Sequence, residues 1–142
     1  MSAEANIDLV RVWVEQIWNA GHVERLTDFH PPTFENEGHR VTVEEMKQWH
    51  IRTRVTFPDI HYTISDIFAT DDRVAFRWNA TATHRGALWN LIPPTGRSIT
   101  WNGMHLLRLA DGRIIEIWAV QNGVAQLRQM GVTLLPAQDA AE

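Results

Sequence analysis

Asn102-Gly-Met-His-Leu-Leu-Arg-Leu-Ala-Asp-Gly-Arg-Ile-Ile-Glu-Ile-Trp-Ala-Val-Gln-Asn122 contains two β-rich runs joined at Asp111-Gly112. Asp-Gly between such runs is a strong hairpin signal, because a type I′ turn needs positive φ at both central residues and glycine adopts it without strain. With those two residues as the loop, facing positions have numbers summing to 223. His105 then faces Trp118, Trp101 faces Asn122, Gly103 faces Val120 and Leu107 faces Glu116, and alternation along the strands puts the whole set on one side of the sheet. An imidazole, two indoles, a carboxylate and an amide gathered among small or apolar neighbours suggest a pocket wall. A bulge would shift the register and scatter them.

Working outward, the 142 residues suit one domain with a substantial core, and 44% hydrophobic against 21% charged residues is an ordinary globular balance. The net charge of −4 argues against a nucleic-acid surface. No apolar run reaches the roughly 18 residues needed to cross a bilayer, and the acidic start lacks the basic region of a signal peptide, so the expected location is cytoplasmic. Without cysteine there are no disulfides, thiol nucleophiles or thiolate metal sites. The seven histidines lack His-x-x-x-His spacing and no glycine-rich phosphate loop occurs, so neither metal nor nucleotide is expected. Seven tryptophans imply either a large core or an aromatic-lined cavity.

Toward the N-terminus, Val10, Trp13, Val14, Ile17 and Trp18 mark one face of a helix over residues 6–20 that Gly21 ends. A short helix over 23–29 is stopped by Pro31-Pro32, and residues 34–37 form an extended piece. Thr42 and Glu45 have capping-box spacing for a helix that presents Met46, Trp49, His50 and Thr53 and stops before Phe57-Pro58. Strands are then expected over 60–68, 73–84, 98–109 and 113–121, followed by a short helix over Val124–Met130 and a loose tail from Leu134. Helices followed by four long strands predict an α+β domain, a curved antiparallel sheet wrapped around N-terminal helices with a ligand-sized opening. Phe76, Leu106 and Ile117 are assigned to the outer face, expected to bury against a second subunit in a homodimer.

Trp18-Asn-Ala-Gly21, Phe57-Pro-Asp59, Asp72-Arg-Val-Ala75, Thr83-His-Arg-Gly86, Pro93-Pro-Thr-Gly-Arg97, Asp111-Gly-Arg-Ile114, Glu116-Ile-Trp118 and Gln129-Met-Gly131 span nearly the whole chain. In this order and spacing the chain resembles the SnoaL-like polyketide cyclases, within the superfamily of ketosteroid isomerase, limonene epoxide hydrolase and nuclear transport factor two. The resemblance implies a homodimeric cone-shaped α+β barrel with a cofactor-free pocket for a polycyclic or aromatic metabolite. In the cyclases an acidic acid/base commonly stands nine positions before the glycine of the last motif. That position is Asn122 here, and an amide exchanges no proton. Where many relatives carry a histidine after the second short helix, this chain has Asn36.

The candidate catalytic residues are therefore His105, Asn122 and Glu116, with Trp78, His84, Trp101, Trp118 and Asn36 as substrate-binding candidates. His105 is either a general base or a core histidine, and Asn122 either holds an oxyanion or caps the last helix. Glu116 is either a carboxylate with a raised pKa or a rim residue paired with Arg108, and His84 is either a rim contact or a loop anchor. For each tryptophan the alternatives are ligand platform and plain core. By elimination His105 moves the proton and Asn122 orients a carbonyl oxygen. Cyclase-like chemistry, with hydroxylation or rearrangement as variants, leads. Epoxide hydrolase- or isomerase-like activity and a non-catalytic binding module are the alternatives.

Overall fold

A computed structural model describes residues 1–138. Helix α1 spans Ala3–Trp13, capped by the Ser2 hydroxyl accepting from the Ala5 N–H, and continues as a π-helical turn over Val14–Asn19. Its i→i−5 bonding, as in Ala20 N–H to the Glu15 carbonyl, brings residues five apart over one another. Trp13 and Trp18 consequently meet edge to face with ring centroids 5.0 Å apart. Gly21 follows at φ +72, and the Arg54 guanidinium closes the turn by donating to the carbonyls of Trp18 and Asn19. A 3-10 turn at Val23–Arg25 leads into the short α2, Leu26–Phe29.

The expected extended piece is half of a hairpin. β1 (Thr33–Asn36) pairs antiparallel with β2 (His39–Thr42) around a Glu37-Gly38 turn in which both residues have positive φ. Helix α3, Val43–Thr56, starts where the capping box placed it, with the Thr42 hydroxyl accepting from the Glu45 N–H, and ends before Pro58. β3 (His61–Thr70), β4 (Arg73–Thr83), β5 (Ser98–Ala110) and β6 (Arg113–Gln121) follow, then α4, Gly123–Gln129. The strand order is β2-β1-β6-β5-β4-β3 in one curved sheet that does not close. It is antiparallel except for the β1–β6 pair, since α2 and α3 flank the added hairpin. Residues 134–138 carry no regular structure, and the rest of the expected loose tail lies outside the described residues. Among the described residues no helix is long and apolar enough to cross a membrane.

Asp111-Gly112 forms the expected two-residue turn, with φ of 52 and 72, and Ala110–Arg113 and Leu109–Ile114 follow the expected register. A bulge then leaves Ile115 unopposed. Beyond it the facing pairs are Arg108–Glu116, Leu107–Ile117, Leu106–Trp118, His105–Ala119 and Gly103–Gln121, whose numbers sum to 224. One extra residue reverses which side of the sheet β6 presents. His105 thus stays on the inner face, whereas Trp118 and Glu116 turn outward, correcting the register derived from the turn alone. Phe76 and Ile117, assigned above to the outer face, are buried in the core at 2% and 4% exposure. Of that trio only Leu106 faces outward, at 41%.

Candidate active site

The concave side of the sheet and helices α1 and α3 enclose a cavity of about 240 Å³. Trp13, Trp18, Trp78, Tyr62, His50, Met46 and Ile117 are its buried wall, and the exposed Glu37, Trp49 and Gln121 form the rim together with Asn36. Four of the seven tryptophans therefore line it. Two elements are held in place by one side-chain amide: Asn19, at the end of the π turn, donates to the Tyr62 carbonyl at 2.9 Å and accepts from the Tyr62 N–H at 2.7 Å. This fixes Trp18 against Tyr62, with centroids 4.8 Å apart.

His105 lines the cavity from β5. Its ring stacks on Phe76 at 5.0 Å and 18°, lies 4.7 Å from Trp18, and accepts at Nδ1 a hydrogen bond of 3.0 Å from the Trp78 indole N–H. Burial among these rings pushes its pKa down to about 3, so it is neutral at physiological pH. His50 is also lowered to about 3, mainly by burial and then by the nearby His30 and Arg54. His30 is lowered to about 4 by burial, opposed by its hydrogen bond of 3.0 Å to the Ile114 carbonyl. Burial raises the Tyr62 hydroxyl well above its ordinary value. Within the buried wall, then, the titratable groups are all held in their uncharged forms.

The remaining candidates fall in different places. Asn36 lies at the rim. Trp101 is buried beside the cavity, 5.2 Å from Phe57, and its indole donates to Gln121 Oε1 at 3.1 Å. Asn122 is the N-cap of α4, accepting from the Ala125 N–H at 3.1 Å, which is the capping alternative for this residue. Glu116 sits on the outer face 3.3 Å from Arg108, whose hydrogen bond holds its carboxyl below the usual range, opposite to the raised pKa a buried acid would need. Trp118 is 47% exposed and approaches Gly38 of the β1–β2 turn. His84 is fully buried away from the cavity, where Nδ1 accepts from the Thr95 N–H and pairs with its hydroxyl, anchoring the β4–β5 loop.

Trp13, Trp18, His50, Tyr62 and Gln121 were not singled out from sequence as site residues. Trp13, Trp18 and His50 occupy apolar helix faces, where core and cavity walls have the same periodicity. Gln121 was concealed by the bulge: it, and not Asn122, is the last β6 side chain at the cavity.

Several recurring motifs hold the frame instead. Asp59 accepts from both the N–H and hydroxyl of Thr83 at 2.7 Å. The Arg85 and Gly86 N–H groups donate to the Thr56 carbonyl, so these two motifs clasp the end of α3 to the end of β4. Gln129 pairs through its side-chain amide with both backbone groups of Thr100, and Arg97 donates to its carbonyl.

A family model for SnoaL-like polyketide cyclases matches residues 8–130. Among solved structures, the candidate hydroxylase AclR from Streptomyces galilaeus is similar at 28% identity and a TM-score of 0.79, over 92% of this chain and 98% of that one. The candidate polyketide cyclase IdmH from Streptomyces antibioticus is 28% identical with a TM-score of 0.75, over 89% and 99%. A SnoaL-like protein from Jannaschia sp. CCS1, 19% identical over 93% and 95%, shares the fold with a TM-score of 0.83. No curated protein matches this chain.

Proposed function

Because the chain belongs to the SnoaL-like polyketide cyclase family, we propose that it is a cofactor-independent enzyme of secondary metabolism acting on a small, flat, carbonyl-bearing ring system in the tryptophan-walled cavity. The observation that carries this reading is His105: a neutral imidazole among Phe76, Trp18 and Trp78, its Nε2 edge without a hydrogen-bond partner among the described residues, in a cavity whose buried wall is mostly aromatic and apolar side chains. Such walls favour a planar apolar body, and a polar ring set among them fixes the orientation of one oxygen. The two relatives at 28% identity are named for different activities, cyclase and hydroxylase. The common element proposed here is uptake of the ligand, with ring closure or hydroxylation depending on how its carbon skeleton lies against His105 and His50.

The test is titration of the protein's tryptophan fluorescence with 9-fluorenone, a planar tricyclic ketone. Saturable quenching is expected, weakened about fivefold in His105→Phe, the size of one net hydrogen bond. A silent titration would overturn the reading.

We further propose that the outer sheet face pairs two copies of the chain. Phe68, Ala75, Leu106 and Trp118 are consecutive cross-strand neighbours on that face, and Met104 and Val120 adjoin them. Phe68, Leu106, Trp118, Met104 and Val120 are all between 41% and 72% exposed, a continuous apolar strip that a second copy would cover.

A further inference from the structure

His105 carries one proton on two nitrogens when neutral, and which nitrogen holds it decides what the cavity can recognise. The indole N–H of Trp78 is a donor only, and it points at His105 Nδ1 from 3.0 Å. Nδ1 must therefore present its lone pair, and the proton resides on Nε2, the nitrogen left without a partner among the described residues. Doubly protonated imidazolium would set two N–H groups against each other at this contact. That repulsion works in the same direction as burial.

The backbone is shaped to make the contact possible. Trp78 faces Gly103 across the β4–β5 ladder, and His105 is the next inward residue along β5, the diagonal neighbour within reach of a long side chain. A Cβ at residue 103 would lie 2.3 Å from Trp78 Cζ2 and 2.7 Å from Cε2, so only glycine leaves room for the indole to lie over this strand. Tyr62 and Trp18 pack edge to face on the same indole at 5.1 and 6.1 Å and hold its plane.

Resting on the reading of the cavity as a ligand site, we propose that Trp78 is a positioning residue that locks His105 in the Nε2–H tautomer, making it a hydrogen-bond donor selective for ligands that present an acceptor oxygen, a ketone, quinone or enolate. Two consequences separate this from a general-base role. His105 cannot accept a proton from substrate at Nδ1 without breaking the indole contact, and its Nε2, already protonated, has no lone pair to accept one. As a fixed donor among buried aromatic rings it instead stabilises negative charge building on the carbonyl oxygen during enolisation or ring closure.

The experiment has two arms. In the full-length, ligand-free protein with ¹⁵N-labelled histidine, long-range ¹H–¹⁵N spectra at pH 7, with His105 assigned through the His105→Phe variant, should show Nε2 protonated and Nδ1 bare. In Trp78→Phe the second tautomer should appear and the Nδ1 resonance should move, a change that loss of packing alone does not produce. In the second arm, the ratio of the Kd for fluorene, which lacks oxygen, to that for 9-fluorenone isolates the contribution of the carbonyl from ring packing. That ratio should fall about fivefold in Trp78→Phe. A wild-type ring protonated at Nδ1, or an unchanged ratio in the variant, overturns the proposal. If Trp78→Phe does not fold, the wild-type spectrum decides alone. If neither ligand binds, the reading of the cavity fails while the spectrum still decides the tautomer.

Discussion

Asn122 and His105 show how a neighbouring donor decides what a polar side chain does. Asn122 occupies a position where an acid is expected by resemblance, yet its carbonyl oxygen is spent on the Ala125 N–H at the start of α4. Asn122→Ala should therefore act first on stability, lowering it by about 1 kcal/mol, the usual worth of an N-cap. A chemical melt of the variant, with its 9-fluorenone affinity measured alongside, checks this. A large loss of affinity with unchanged stability would return Asn122 to the ligand site. His105 likewise has one nitrogen already engaged, by Trp78. Gly103 matters at the same scale, because its missing side chain is the space the indole uses.

Among the elements, β6 has the greatest leverage on the site. The bulge at Ile115 lets the strand begin in register with the tight turn and then present Ile117, Ala119 and Gln121 to the cavity. Deleting Ile115 would remove the unopposed residue while leaving Arg108 opposite Glu116 and Leu106 opposite Trp118, so both side chains should stay on the outer face and only the local bend of β6 is lost. With the Arg108–Glu116 pair kept, the deletion variant should still unfold cooperatively, destabilised by about 0.5–3 kcal/mol. Near-ultraviolet circular dichroism and a thermal melt check this, and loss of cooperative unfolding would show that β6 cannot be built without the bulge. The π turn of the first helix has a related role, since α-helical spacing would separate Trp13 and Trp18 around the helix.

For the whole molecule, burial of uncharged histidines sets an acid limit. His30, His50 and His105 have pKa values of about 4, 3 and 3 when folded, against 6.5 as the ordinary value. Between these limits the unfolded chain binds more protons than the folded one, so stability is fully present above about pH 6.5 and falls as pH drops toward 3. At about 1.4 kcal/mol per pKa unit the combined effect is several kcal/mol, and Tm should fall by about 10 °C or more between pH 7 and pH 4. Differential scanning calorimetry across that range checks the sign, and His50→Gln should flatten the fall. Asp59, held below its ordinary value chiefly by Thr83, adds a loss in the same direction at lower pH. The proposed dimer makes a separate prediction. Trp118→Glu, on the exposed strip and away from the cavity wall, should convert a dimer to a monomer in light scattering while leaving the circular dichroism spectrum unchanged. A wild-type protein that is monomeric at micromolar concentration would reject the pairing.

The order of the helices and the four long strands, the capped start of α3, its stop before Pro58 and the Asp111-Gly112 turn were all determined by the sequence, because each depends on residues within a few positions of one another. The family was legible for a related reason. Its motifs Phe57-Pro-Asp59, Thr83-His-Arg-Gly86 and Gln129-Met-Gly131 are clasps between element ends, and such clasps specify a frame without specifying a reaction. What the site contains was decided only in three dimensions. The identity of Ile115 does not announce a bulge, yet that one residue reversed the facing of Glu116 and Trp118 and brought Gln121, not Asn122, to the cavity. The sequence of β1 did not announce its parallel pairing with β6, since a strand's partner depends on which edge remains free once the other strands have paired. Nor could periodicity distinguish Trp13, Trp18 and His50 as cavity walls from ordinary core. A buried apolar face looks the same from inside the chain whether another side chain or an open cavity lies opposite it, and only the packed structure supplies what lies opposite.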